Sequence, residues 1–419
     1  MSLIKSLSIY TLSSLLSRAV PFFLLPIMTK YLSPDEYGEV SIYIVLMTFL
    51  STVMYWGSHV HLGIEYFKVD KIEYRKILGN VLLIPFVMFI MSSLIFYIFG
   101  NVLLTTDSLS HELFLTIPLA AFLGYLYRIM TVHFRVSNQQ IKFAITEVSS
   151  SILQVFLSIL FVVLLSYSVE GRVLAILLSS LLVSIVLVIY IKRYNLLEFK
   201  FNIKFYRDYA KTGLAFVFNE LGNQVIRIGD KLLILFFVGS SYVGSYAVAA
   251  QVASIALILN SVFTQAWQPH VFKILSNDIP INKKKLQRLT FFIAFTFLVI
   301  YVLLGIISNI IYSWFIDPRY HDSLPVVIWL LSGFYFTFIY GLFADYIFFS
   351  KEVRKVSFVT LFNLTIFVSL SIILLNRYGA FGVAYAFCIS SLSSSCLCAY
   401  LSSKCRYSLF KLNREVGNK

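Results

Sequence analysis

The chain has 419 residues, of which 59% are hydrophobic and only 13% are charged, and its mean hydropathy is +0.84. Soluble domains carry about 25% charged residues, so this composition excludes a soluble enzyme and a soluble binding module. Apolar runs of roughly 20 residues, long enough to cross a bilayer as a helix, recur along the whole chain and indicate a polytopic membrane protein that is all α-helical.

The apolar runs predict twelve membrane-spanning helices. In chain order they cover residues 7–29, 40–62, 77–99, 112–132, 144–166, 172–191, 213–238, 243–268, 289–312, 323–349, 357–375 and 381–402. The first run is full length and no small-residue cleavage site follows it, so we expect a membrane helix and not a signal peptide.

Lys and Arg residues are unequally divided between the two sides of the predicted membrane. With the N-terminus inside, the inside segments hold most of them, and the outside segments hold only Lys30, Arg172, Arg319 and Arg377. This alternation satisfies the positive-inside rule and predicts that both termini are cytoplasmic. The net charge of +14 is therefore a topology signal, with membrane lipid headgroups as the expected contact and no nucleic acid partner.

The chain divides at its longest inside loop, Lys192–Lys211, which predicts an amphipathic linker on the membrane surface. The predicted organisation is an N-terminal six-helix lobe at 1–191, a cytoplasmic linker at 192–212, a C-terminal six-helix lobe at 213–402 and a cytoplasmic tail at 403–419. Two six-helix halves of the same topology are typical of transporters with alternating access.

Short segments recur at corresponding places in the two halves. The second span of each half begins within YLSPDEYGEVSIY (Tyr31–Tyr43) or FVGSSYVGSYAVA (Phe237–Ala249). The sixth begins within YSVEGRVLA (Tyr167–Ala175) or RYGAFGVAYA (Arg377–Ala386). The similarity is that of short Gly-marked turns, so it indicates a repeat but is also compatible with chance.

Four segments resemble one family of membrane proteins. They are PFFLLPIMTKYLSPDEYGEVSIY (Pro21–Tyr43), GDKLLILFFVGSSYVGSYAVA (Gly229–Ala249), WFIDPRYHDSLPVVIWL (Trp314–Leu330) and NRYGAFGVAYA (Asn376–Ala386). Their sequences and order resemble Wzx-type polysaccharide flippases, within the superfamily that includes multidrug and toxin extrusion (MATE) transporters. The resemblance implies a V-shaped, two-lobe bundle that exports an undecaprenyl-diphosphate-linked oligosaccharide across a bacterial inner membrane.

The seventh predicted span carries an unusual set of polar residues. On an ideal helix these residues fall on one stripe: Glu220, Asn223, Gln224, Arg227, Asp230 and Lys231. Such a stripe must face protein or water, because a charge at the bilayer centre costs at least ~2.5–3.5 kcal/mol. In the family named above, the stripe is expected to line a cavity, where Arg227 and Lys231 meet the substrate's diphosphate.

Two further arginines lie within predicted spans. Arg18, beside Ser14 and Ser17 in the first span, is the expected diphosphate contact of the first half. Arg128 is the weaker candidate, because it lies close enough to the inside face to snorkel. The competing interpretation is a buried lock, in which Asp230 pairs with Arg227 or with Arg18.

Four acidic residues offset these cations. If Glu147, Glu220, Asp230 and Asp345 are all ionised, the charge within the spans sums to zero. Burial raises the pKa of a carboxyl group, so a second hypothesis is that Glu220, Asp230 or Asp345 takes up a proton or Na⁺ and couples its entry to export. Glu147 is expected to be solvated near the inside end of its span, and Asp345 is equally compatible with a structural hydrogen bond.

Other functions remain as alternatives. A multidrug exporter of the same superfamily is expected to have an acidic, aromatic cavity, and a peptidoglycan-precursor flippase usually has two further helices. A glycolipid polymerase or ligase generally needs a large outside loop, which this chain lacks. No cofactor and no metal site are expected, because His59 and His61 do not share a helix face and the four cysteines suit small packing residues. Other polysaccharide-assembly membrane proteins are possible partners.

Overall fold

The computed structural model describes residues 3–103, 109–200, 205–207, 209, 220, 224, 228–276 and 280–405. Within these residues the secondary structure is helical and contains no strand. The helices of the first half are α1 (Leu3–Tyr31), α2 (Pro34–Tyr55), α3 (Ser58–Glu65), α4 (Lys71–Leu103), α5 (His111–Val136), α6 (Gln140–Ser158), which continues as a π-helix (Ile159–Leu164), and α7 (Ser168–Arg193).

The second half has the same helical character. Residues 228–237 are helical. They are followed by α8 (Ser240–Ala253), α9 (Ile255–Ser276), α10 (Pro280–Phe315), a 3₁₀-helix (Pro318–Ser323), α11 (Leu324–Phe349), α12 (Val353–Tyr378) and α13 (Ala380–Ser403).

Eleven helical segments of the described chain are long and apolar enough to cross a membrane. They correspond one to one with eleven of the twelve predicted spans, with α8 and α9 together forming the eighth. The other predicted span, 213–238, lies mostly outside the described residues. Outward-facing apolar side chains such as Phe86, Ile90 and Leu94 on α4 are exposed, as expected of a surface that contacts lipid. The prediction of an all-α polytopic membrane protein is confirmed.

The chain forms two compact units, Met1–Leu232 and Leu233–Lys419. In the first unit α5 is central and packs against α2, α4 and α7, while α1 packs against α6. In the second unit α13 packs against α11 and α12, and α10 packs against α11. The predicted boundaries of the lobes, linker and tail stay predictions.

The first recurrent segment begins α2 with a capping box. The hydroxyl of Ser33 accepts a hydrogen bond from the backbone N–H of Glu36, and the Glu36 carboxylate accepts one from the backbone N–H of Ser33. Glu36 also accepts a hydrogen bond from the hydroxyl of Ser168, at the start of α7. The two recurrent segments of the first half therefore contact each other.

Two glycines occupy matching places at the starts of α7 and α13. A Cβ atom on Gly171 would lie 2.9 Å from Cβ of Tyr167 and 3.0 Å from the carbonyl carbon of Phe161. A Cβ atom on Gly382 would overlap the backbone of Leu374. Each glycine lets the last spanning helix of its half pass close to the end of the preceding one, which supports the inferred repeat.

The chain after α7 packs against the preceding helices of the first unit. Leu196 and Leu197 contact its core. The backbone N–H of Glu198 donates to the carbonyl of Arg75 at 3.3 Å, and the side-chain amide of Asn80 donates to the carbonyl of Lys200 at 2.9 Å. Residues 196–200 have no helical structure. One backbone–backbone hydrogen bond and one from the Asn80 side chain hold this segment against α4.

Candidate functional site

Two described residues of the seventh predicted span, Glu220 and Gln224, contact α3 and α2. Oε1 of Glu220 lies 3.6 Å from Nε2 of His59, and the side-chain amide of Gln224 donates to the hydroxyl of Thr52 at 3.1 Å. Because Glu220 and Gln224 are four residues apart, both contacts lie on the same helix face. This part of the predicted polar stripe therefore faces protein, as a polar stripe in a membrane helix must.

Asp230 and Lys231, further along the stripe, interact with each other. Nζ of Lys231 lies 3.9 Å from Oδ1 of Asp230, and the same oxygen accepts a 2.8 Å hydrogen bond from the backbone N–H of Lys231. Both side chains are largely buried, with 19% and 15% of their surfaces exposed. Arg227, the predicted partner of Lys231 on a diphosphate and of Asp230 in a lock, lies outside the described residues.

Arg128, in the second half of α5, has an exposed side chain. Its guanidinium lies close enough to His59 to lower the pKa of that histidine, although burial of the imidazole is the larger cause and Glu220 opposes both. Tyr55 lies beside His59, with ring centroids 6.2 Å apart. Arg128, His59 and Glu220 therefore lie close together, a proximity that the sequence did not predict.

A second polar contact joins α1, α6 and α5. The hydroxyl of Ser17 donates to Oε2 of Glu147 at 3.1 Å, and the hydroxyl of Ser151 donates to the carbonyl of Ser17 at 3.0 Å. The phenol of Tyr127 lies beside the same carboxylate. Glu147, expected to be solvated, is instead half-buried and hydrogen-bonded. Arg18 follows Ser17 on α1, and its side chain lies outside the described part of the structure.

These contacts form one continuous set within the first unit, because Tyr127 also lies near Tyr55 and Arg128. We call this set the first-unit polar surface; its members are Ser17, Tyr55, His59, Tyr127, Arg128, Glu147 and Glu220. Among the described residues, Arg128 has no carboxylate within ion-pairing distance. The surface thus offers an accessible guanidinium, with phenol and imidazole groups around it, to an anionic and polar ligand.

Asp345, the acidic candidate of the second unit, is almost fully buried on α11, with 3% of its surface exposed. Its Oδ1 accepts a 2.9 Å hydrogen bond from the side-chain amide of Gln268 on α9. Its Oδ2 is buried and has no hydrogen-bond partner among the described residues. A buried carboxylate with one unsatisfied oxygen is a suitable place for a proton or a small cation.

Several members of the polar surface were missed from the sequence. The sequence indicated His59 only as a possible metal ligand and did not single out Tyr55 or Tyr127. It also did not single out Thr52, the partner of Gln224 beside this surface. Thr52 and Tyr55 are three residues apart on α2 and share a face of that helix. His59 lies on α3, beyond the left-handed residues Trp56 and Gly57, so helical spacing gives no signal that would join it to them. Among the described residues, no group of three or more His, Cys, Asp or Glu side chains is placed to hold a metal ion.

A family model described as polysaccharide biosynthesis protein matches residues 3–275. A Haemophilus influenzae protein described as an uncharacterized membrane protein is 28% identical over 389 residues, which cover 88% of this chain and 89% of that protein. The Lsg locus putative protein 1 of the same organism is 24% identical over 431 residues, covering 96% of this chain and 99% of that protein.

Solved structures share the fold over nearly the full chain. The Lipid II flippase MurJ, in an inward closed conformation, matches with a TM-score of 0.74 at 16% identity, covering 97% of this chain and 90% of that one. An inward-facing MATE family multidrug transporter of the MOP superfamily matches with a TM-score of 0.64 at 15% identity, covering 99% and 96%. These matches confirm the resemblance inferred from the four sequence segments. The chain belongs to the polysaccharide biosynthesis protein family and has the fold of the transporters and flippases of the MOP superfamily.

Proposed function

We propose that this protein is a flippase that moves an undecaprenyl-diphosphate-linked oligosaccharide from the cytoplasmic to the outer leaflet of a bacterial plasma membrane by alternating access. One observation carries the proposal. A chain of a polysaccharide biosynthesis family has a fold that matches a Lipid II flippase over 97% of its length. The lectin assay described below tests it.

The first-unit polar surface supports an anionic substrate. Arg128 is exposed within a membrane-spanning helix and has no carboxylate partner among the described residues. A guanidinium binds phosphate oxygens through two parallel hydrogen bonds, so Arg128 is a suitable contact for a diphosphate. We assign the same role to Lys231, Arg227 and Arg18, with Lys231 acting as a point charge that must leave Asp230 to do so.

The acidic residues nearby set a condition on this binding. Glu220 and Glu147 both belong to the polar surface, and their negative charge opposes a diphosphate. Substrate binding is therefore strongest where these carboxylates are satisfied by their neighbours, as Glu147 is by Ser17.

The membrane potential supplies part of the driving force. A diphosphate with a charge of about −2 that moves outward descends an inside-negative potential and gains ~4–5 kcal/mol at about 100 mV. We propose that cation uptake serves to reset the empty carrier, and that Asp345 is the group that takes up H⁺ or Na⁺. Its unsatisfied Oδ2 is the observation that favours it over Glu220 and Asp230.

The proposal includes a location and partners. The protein lies in the inner membrane with both termini in the cytoplasm, because the inside segments hold most of the Lys and Arg residues. The enzymes that build the glycan act before this protein, and those that polymerise the glycan act after it. Its products are the repeat units of a surface polysaccharide such as O-antigen or capsule.

The test measures which leaflet holds the glycolipid. The gene is deleted in the native host, and the undecaprenyl-diphosphate glycan is detected on spheroplasts with a sugar-specific lectin that reaches only the outer face. We expect the glycan to accumulate inside the cell and to return to the outer face when the unsubstituted gene is supplied. Glycan that still reaches the outer face of the deletion strain, with no redundant flippase, would instead favour a multidrug exporter.

Site variants refine the same assay. Arg128→Gln should slow the appearance of glycan roughly 10- to 100-fold, the effect of losing a charge-assisted hydrogen bond pair. Arg377→Gln is the matched control, because Arg377 is exposed in the last turn of α12 and lies in the second unit. Equal loss in both variants, at normal protein levels, would remove Arg128 from the site.

A further inference from the structure

Arg135 lies on the same face of α5 as Arg128. The two residues are seven apart, so their side chains leave the helix in nearly the same direction and about 10 Å apart along its axis. Both side chains are exposed. Both guanidinium groups are close enough to His59 to lower its pKa, which places them on the side of α5 that faces the first-unit polar surface.

The surroundings of Arg135 fix its position without neutralising it. Its guanidinium carbon lies 5.2 Å from the ring centroid of Phe143 on α6, and the Tyr10 phenol donates to its backbone carbonyl at 3.4 Å. Among the described residues, no carboxylate lies within ion-pairing distance of Arg135. Its charge is therefore available to an anion that approaches this end of the first unit.

The same spacing is repeated on α1. Tyr10, which contacts Arg135, and Ser17, which contacts Glu147, are also seven residues apart. The first unit thus has two levels of polar groups about 10 Å apart, one at the end of the spans and one deeper. Arg135 lies in the last turn of α5, next to the end of its spanning segment at Val136, and this is the depth of lipid headgroups.

We propose that Arg135 is the loading contact for the diphosphate of the lipid-linked substrate in the inner leaflet, from which the diphosphate passes to Arg128. This inference rests on the proposed function, and it adds a residue that composition alone explains as a topology signal. The two levels also differ in charge. Arg128 acts on His59, the partner of Glu220, more strongly than Arg135 does, and it also lies near Tyr127 and Glu147. More negative charge therefore surrounds the deeper level, so the diphosphate is held more weakly there and is not trapped.

The experiment measures binding directly, with farnesyl diphosphate as the probe and the full-length protein in detergent. Binding is followed by native mass spectrometry at pH 7.5 and low salt. We expect Arg135→Gln to weaken binding about fivefold to tenfold, the effect of removing one interfacial cation. Arg135→Lys, which keeps the charge but loses the bidentate geometry, should recover part of this loss.

The matched control is Arg193→Gln, which removes an exposed cation from the last turn of α7. It should bind the probe like the unsubstituted protein. Equal weakening in the Arg193 and Arg135 variants would reduce the effect to general surface charge and overturn the inference. No change in Arg135→Gln, or no binding of the probe to the unsubstituted protein, would also overturn it.

The lectin assay separates this inference from the proposed function. If glycan reaches the outer face without the protein, the flippase proposal fails whatever the binding result. If Arg135→Gln binds the probe normally while the deletion strain retains glycan inside, the loading contact fails and the flippase proposal stands. When both hold, Arg135→Gln should raise the glycolipid level needed for half-maximal flipping more than it lowers the maximal rate.

Discussion

Nε2 of His59 lies 3.6 Å from Oε1 of Glu220. The pair joins α3 to the start of the seventh predicted span, and the bond from Gln224 to Thr52 one turn further along continues the contact. His59 is only 14% exposed in its side chain, whereas Glu220 is 38% exposed. The imidazole is thus the more buried partner of the contact, and burial is the main cause of its lowered pKa.

The first prediction concerns pH dependence at His59. Burial and the Arg128 guanidinium lower the pKa of His59 from its ordinary value of 6.5, and Glu220 works in the opposite direction. Because the folded-state pKa is below the unfolded one, His59 destabilises the fold as the pH falls below 6.5. We expect Glu220→Gln to increase this loss of unfolding free energy, because the opposing charge is removed. The increase should be only about 0.3–0.5 kcal/mol, because Glu220 is partly exposed.

The measurement is the melting temperature of the detergent-solubilised protein at pH 8 and at pH 5.5. Glu220→Gln should resemble the unsubstituted protein at pH 8 and melt lower at pH 5.5. When His59→Asn is combined with Glu220→Gln, the part of the change in melting temperature between pH 8 and pH 5.5 that is due to this pair should disappear. A Glu220→Gln effect that is the same at both pH values would show that the pair does not titrate.

The second prediction concerns pH dependence at His61, which joins α3 to Tyr209. Burial lowers the pKa of His61 from 6.5, with Glu65 opposing. Its Nε2 is buried without a hydrogen-bond partner among the described residues, and its ring lies 5.2 Å from that of Tyr209. The same sign argument applies, so the folded state loses stability as the pH falls below 6.5.

His61→Phe keeps the ring contacts and removes the titrating group. We expect it to reduce the fall in melting temperature between pH 7.5 and pH 5.5. His111→Phe is the matched control, because His111 is exposed at the start of α5, and it should leave the fall unchanged. Identical pH profiles for His61→Phe and the unsubstituted protein would refute the argument.

The membrane spans could be predicted because lipid leaves few choices. In a bilayer every backbone polar group must be satisfied within the segment, so hydropathy and length determine the helices. The polar stripe that includes Glu220 and Gln224 was also predicted, because helical periodicity is a local property. Its partners, Thr52 and His59, are more than 150 residues away in the chain, and periodicity carries no information about such contacts.

Glu147 shows the same limit. Its place near the inside end of a span predicted solvation, yet the hydroxyl of Ser17, which is 130 residues away in sequence, donates to it. Arg135 was counted among the inside cations, because the positive-inside rule explains a charge at that position without requiring any contact. Arg135 differs from Arg193, another exposed cation at a helix end, only through the packing of α5 against α6 and α3.

The third prediction concerns the segment that leaves α7. A Cβ atom on Gly79 would lie 2.6 Å from the backbone carbonyl oxygen of Glu198, so Gly79→Ala must push this segment away from α4. We expect a loss of about 1–3 kcal/mol in stability and faster proteolysis within residues 196–200. Gly124→Ala is the control, because no atom lies within 4 Å of its added Cβ. Equal stability of the two variants would mean that the segment moves at no cost.

The fourth prediction separates the two interpretations of Asp345. Asp345→Asn preserves the shape of the side chain and can still accept the bond from Gln268 at Oδ1. It cannot take up a proton or neutralise a cation. We expect the variant to fold normally, and transport in proteoliposomes to lose its response to an imposed H⁺ or Na⁺ gradient, on the order of tenfold. Asp317→Asn is the control, because Asp317 lies between α10 and the 3₁₀-helix, where it pairs with Arg319. If transport by Asp345→Asn still responds fully to both gradients, the carboxylate is only a structural partner of Gln268, and the coupling group must be sought elsewhere in the chain.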